Sequence, residues 1–170
     1  GSAGADLTAV DAKGRTALWI AANAGNQPAV GYLLKRGAQQ GTADAAGETA
    51  LMRAAARGHT GIAKLLLTAD APLDAESASG NTALILAASS GVTELVDALI
   101  KVGADLDHRN ALGETALMLA TRGGHADSVR ALLTAGADAC LRNKQRETAH
   151  EIAIASGNRD IGALIENVSR

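Results

Sequence analysis

Residues 44–59 read Asp44-Ala-Ala-Gly47-Glu-Thr-Ala-Leu51-Met-Arg-Ala-Ala-Ala-Arg-Gly58-His59. The Thr-Ala-Leu inside this stretch, at 49–51, recurs at 16–18, 82–84 and 115–117, and Thr148-Ala149-His150 extends the series in steps of 33 residues. Gly25, Gly58, Gly91, Gly124 and Gly157 keep the same step, as do Gly4, Gly37, Gly103 and Gly136, with Asp70 as the only exception in that column. A register held through five copies is not chance, and a period of this length decides the architecture before any single residue does.

Each column has a physical task. Thr16, Thr49, Thr82, Thr115 and Thr148 stand where a hydroxyl can cap the first turn of a helix. About eight residues of helix-compatible sequence follow, with small residues such as Ala21 and Ala22 that let neighbouring helices approach closely. The Gly25 column suits the left-handed residue that ends a helix. A second helix then shows apolar spacing, as in Leu95, Val96, Leu99 and Ile100. Pro28 falls in the first turn of its helix, where a missing N–H costs little. The Gly37 column closes the second helix, and Asp70 is among the residue types that tolerate the same conformation. Between units runs an extended segment with a tight turn at Gly14, Gly47, Gly80 or Gly113.

Helix, turn, helix and β-turn in 33 residues resembles the ankyrin repeat. The stretch 44–59 is similar to that family's D-x-x-G-x-T-P-L-H-x-A-A-x-x-G-H/N line, and Gly103-Ala104-Asp105 and Gly136-Ala137-Asp138 to its Gly-Ala-Asp ending. The resemblance implies an all-α solenoid of stacked helix-turn-helix units joined by β-turns. The expected units are 11–43, 44–76, 77–109, 110–142 and a capping repeat at 143–170. Residues 3–10 read as the remnant of a preceding repeat, and Gly1-Ser2 as a cloning scar. The departures are consistent. Ala replaces the family's Pro after Thr in all five units, and its His is Trp19, Met52, Ile85, Met118 and Glu151, so the usual His bonding in the turn is expected to be absent. The last unit puts Arg146 at the turn tip, His150 in the Leu column and Glu166 at an apolar site, as expected of a cap whose outer face meets water.

Composition narrows the function. The chain has 170 residues, 16 Lys and Arg against 18 Asp and Glu, and a net charge of −2. That length supports a sizeable core, and the balance gives no polybasic footprint for nucleic acid or anionic membrane. Trp19 and Tyr32 are the only aromatics, too few for base stacking. Cys140 is the only cysteine, so no internal disulfide framework or cysteine zinc site is expected. It is read as a small, inert side chain. No two histidines fall three or four apart on a helix, so no metal site is expected. No nucleophile elbow or P-loop is present, so no catalytic residue and no cofactor is expected. His59 and His125 are read as helix-start hydrogen-bonding residues. No signal peptide or spanning segment is read in the sequence, which favours a soluble, cytoplasmic setting. Charge is uneven: residues 1–43 carry +2, and 44–76 and 77–109 carry −2 each.

The resemblance implies a non-catalytic scaffold that binds another protein on its concave face and turn tips. Carried over position by position, the tip candidates are Lys13, Arg15, Ala46, Glu48, Ser79, Asn81, Leu112 and Glu114. The first-helix candidates are Ile20, Asn23, Arg53, Ala56, Arg57, Leu86, Ser89, Leu119 and Arg122. Arg53 interrupts the apolar column Ile20, Leu86, Leu119, Ile152, which predicts that this column faces solvent. Two alternatives stand beside this reading: a small apolar ligand held in the groove, and a targeting module of a longer enzyme chain. Self-association through an exposed N-terminal edge is also expected, because repeat 1 lacks a full neighbour on that side.

Overall fold

The structure is a computed structural model that describes residues 6–168; Gly1-Ser2 and residues 3–5 of the expected remnant lie outside them. Ten helices are found among the described residues: α1 (Ala17–Asn23), α2 (Gln27–Lys35), α3 (Ala50–Ala56), α4 (Thr60–Thr68), α5 (Ala83–Ser90), α6 (Thr93–Lys101), α7 (Ala116–Arg122), α8 (Ala126–Thr134), α9 (Ala149–Ala155) and α10 (Arg159–Val168). One isolated bridge, Val10 to Thr16, is the only β-pairing among them.

The threonine column caps as its chemistry dictates. Thr16, Thr49, Thr82, Thr115 and Thr148 are extended, and each Oγ1 accepts the backbone N–H three residues on, at 3.1 to 3.4 Å. In the last unit Glu151 returns the favour: its carboxylate accepts the Thr148 N–H at 2.7 Å, a full capping box. That bond holds the Glu151 carboxyl below the usual glutamate range. Asp70 ends α4 at φ +59, where the equivalent positions hold glycine.

The odd-numbered helices stack on one another in one row and the even-numbered in a second, and each odd helix packs on the even helix that follows it. Leu51, Leu84, Leu117, Leu66, Leu99 and Leu132 lie fully buried between the rows. Ala54, Ala55, Ala87, Ala88 and Ala120 are equally buried in the odd row, with nothing beyond a methyl to hold helices apart, while the even row meets through larger Leu, Ile and Val side chains. The odd helices accordingly contact their neighbours more closely than the even ones do. Unequal spacing of two rows bends a stack toward the tighter one.

The two histidines do not act as helix-start hydrogen-bonding residues. His59 and His125 stand at the N-caps of α4 and α8 without a side-chain cap bond. The His125 ring instead reaches back one unit, where Nε2 pairs with the Ser89 carbonyl at 3.2 Å. Asn158, in the same column, donates to the Thr121 carbonyl at 3.1 Å. Asn26 caps its own helix, accepting from Ala29 N–H. A ring is too long to fold onto its own first turn here, and the glycine opposite leaves room for it: a Cβ on Gly25 would meet the His59 ring at 2.9 Å.

Candidate functional site

The turn tips form a continuous edge. Asp44 Oδ1 accepts the N–H groups of Ala46 and Glu48, and Asn110 Oδ1 those of Leu112 and Glu114, each at 2.9 Å. Asp11 and Asn143 serve their own turns likewise, and Ser77 Oγ accepts from Asn81. Side chains that mimic a turn in this way preset the tip before it meets its neighbour. Successive tips are then tied backbone to backbone: Ala45 N–H to Lys13, Ala78 to Ala46, Ala111 to Ser79 and Lys144 to Leu112, all at 2.8 or 2.9 Å. Glycine is required at these tips twice over. Gly80 sits at φ +69, and a Cβ there would lie 2.9 Å from the Ala111 nitrogen. The equivalent residue in the last tip, Arg146, keeps the left-handed conformation at φ +67.

Beside this edge the exposed flanks of the odd helices carry the sequence candidates, and the structure groups them. Trp19 is buried, and its indole Nε1 donates to the Glu48 carbonyl of the next tip at 3.0 Å. The expected loss of His bonding in the turn is thus offset here by a longer side chain. The guanidinium carbons of Arg15 and Arg53 each lie 5.4 Å from the indole centroid. Arg15 also donates to Asp11 at 2.7 Å, which holds the Asp11 carboxyl down to about 2. Arg53 donates through Nε and Nη2 to Asn23 Oδ1, at 3.2 and 3.0 Å, and through Nη1 to Glu48 Oε2 at 3.0 Å. Its side chain is only 20% exposed.

Three expectations for the stripe change accordingly. Arg53 is a half-buried tie between α1, α3 and the second tip, not a free solvent-facing cation. Its column grades from exposed Ile20 through half-buried Arg53, Leu86 and Leu119 to buried Ile152. Glu114, expected at an exposed tip, is 5% exposed, with its carboxylate paired to Arg122. Lys13, Ala46, Arg57, Ser79, Leu112, Ser89 and Arg122 are exposed. Glu48, Asn81, Asn23 and Ala56 are half-buried, and Asn81 accepts from Asn110 Nδ2 at 3.0 Å. The sequence reading missed Asp11, Trp19 and Glu147 as parts of this surface. Glu147 lies 4.0 Å from Arg122, and its column (Arg15, Glu48, Asn81, Glu114) was the available signal.

A family model described as ankyrin repeats in three copies matches residues 3–77 and 84–167. The chain belongs to the ankyrin repeat family. Ankyrin repeats are in general protein–protein interaction modules, and proteins built of them are typically scaffolds rather than enzymes. No curated protein matches this ankyrin chain. No described helix is long and apolar enough to cross a membrane. Cys140 is a free, exposed cysteine.

Proposed function

We propose that this ankyrin array is a non-catalytic scaffold that binds a partner protein along its turn tips and the exposed flank of its odd-numbered helices. The observation that carries the reading is the tip-to-tip backbone ladder, which holds a row of changing side chains on an unchanging frame. Along it run Lys13 and Arg15, then Ile20 and Asn23, then Glu48, Arg53 and Arg57, then Asn81, Leu86 and Ser89, and last Leu112, Leu119 and Arg122 with buried Glu114 beneath. Exposed Ile20 and Leu112, with half-buried Leu86 and Leu119 between them, supply apolar contact area, and arginines flank it. Apolar anchors beside arginine are the composition in which binding energy concentrates. The surface hollows on the even-numbered helices, such as the one lined by Thr93, Asp97, Ile100, Asp127 and Arg130, are open grooves away from this stripe. They give the apolar-ligand alternative little support, since small-ligand sites enclose most of the ligand.

The test is capture of partners on the immobilised chain, identification by mass spectrometry, and titration of one purified partner against Leu86→Ala and Leu119→Ala. Weaker binding in both variants, with unchanged melting, supports the stripe. Unchanged affinity in both refutes it.

A further inference from the structure

The last turn tip concentrates positive charge on a chain whose net charge is −2. Arg142, Lys144 and Arg146 lie within five residues, and Arg109 is brought to the same place from the preceding unit. Its Nη2 donates to the Arg142 carbonyl, and the Arg142 Nη1 donates to the Arg146 carbonyl. The two guanidinium groups are thus anchored by one edge to the backbone of the tip. Glu151 pairs with Arg142 at 3.0 Å, and Glu147 is held by Asn143 Nδ2 at 2.9 Å. Among the described residues no carboxylate lies within ion-pair distance of Arg109, Lys144 or Arg146, and all three are exposed.

A second observation singles out Arg146. It stays in the left-handed region at φ +67, where the four other tips carry glycine. A side chain in that conformation is a strained choice, and strain that persists at an exposed position points to function.

From these observations we infer that the last tip is an interaction surface for an acidic polypeptide segment. The inference rests on the reading of the chain as a protein-binding scaffold and adds the chemistry of the partner. Fixed guanidinium edges favour carboxylates, which accept paired N–H donors. A nucleic acid fits poorly. The cationic area is short, and no exposed aromatic stands beside it for stacking: Trp19 is buried, and Tyr32 lies on α2 in the first unit.

The probe is a short fluorescein-labelled poly-glutamate peptide, followed by fluorescence anisotropy on the intact chain. Binding is expected at low salt and should weaken as ionic strength rises through the range in which exposed charges are screened. The double variant Lys144→Glu, Arg146→Glu should weaken it by about tenfold or more, since like charges then face the peptide. The double variant Lys35→Glu, Lys101→Glu, which changes net charge equally but at the ends of α2 and α6 in the first and third units, should leave it intact. Arg146→Gly should lower peptide affinity while raising the chain's own stability, a pair of opposite signs that a purely structural role does not produce. The inference is overturned by any of four results: no binding at low salt, equal loss in the Lys35/Lys101 control, unchanged affinity in Arg146→Gly, or tighter binding of a single-stranded oligonucleotide of equal charge. Each of these leaves the Leu86 and Leu119 test of the scaffold untouched.

Discussion

Replacing Gly80 by alanine probes the tip ladder directly. Gly80 lies at φ +69, and a Cβ there would stand 2.9 Å from the Ala111 nitrogen and 3.1 Å from the Asn110 Cα, both backbone atoms. The left-handed conformation alone costs an L-residue about 1–2 kcal/mol. The backbone of the next tip must also move, which loosens the 2.9 Å bond from Ala111 N–H to the Ser79 carbonyl. A hydrogen bond of this kind contributes about 1 kcal/mol net. The stiffer unfolded chain returns about 0.4–1 kcal/mol. The sum is a loss of about 2 kcal/mol, or about 4–8 °C of melting temperature for a chain of this size. Gly37 is the control: it has φ +84 and nothing within 4 Å of a built Cβ. Gly37→Ala therefore carries the conformational penalty without the clash and should lose about 1 kcal/mol or less. Urea unfolding followed by far-UV circular dichroism measures both. Equal losses in the two variants would show that the tip contact contributes nothing beyond backbone conformation.

Thr121 Oγ1 is the one buried side-chain polar atom without a partner among the described residues, and its column is alanine in the three preceding units. Thr121→Ala should be neutral or stabilising by about 1 kcal/mol, since an unsatisfied buried hydroxyl costs about that much, and a clear loss in urea unfolding would reveal a hidden partner. Ala87, fully buried in the odd row, should lose about 1–3 kcal/mol when enlarged to leucine, and wild-type melting would mean that the row tolerates wider spacing. Asp11 should titrate near 2 by carboxyl NMR; because Arg15 lowers its pKa, the stability it lends is complete above the ordinary value of 3.8 and is lost as pH falls toward 2. A midpoint near 3.8 would mean that the Arg15 pairing does not persist in solution. The N-terminal edge exposes Ala17, Ile20 and Tyr32, whereas Ala50, Ala83, Ala116 and Ala149 are all buried, so concentration-dependent association is expected in sedimentation velocity. A monomer at every concentration, or association unaffected by Tyr32→Lys, would count against that edge.

The chain's sequence by itself determined the 33-residue register, the two helices of each unit, their threonine caps and the turn tips. Each of these depends on a residue type meeting a local need: a hydroxyl within reach of a nearby N–H, or a backbone that accepts positive φ. Such needs repeat with the register and are visible as columns. Tertiary structure decided which side chains of the candidate surface are free. Arg53 looks like an exposed cation until Asn23, thirty residues earlier, accepts its guanidinium and Trp19 lies beneath it. Glu114 occupies a tip column yet is buried beneath Arg122. His125 looks like a local cap but spans to Ser89 in the preceding unit. Arg146 holds the left-handed conformation that glycine holds at the other tips. Exposure in a stacked array is set by what the neighbouring unit lays across each position, and long polar side chains reach that neighbour from outside any local pattern.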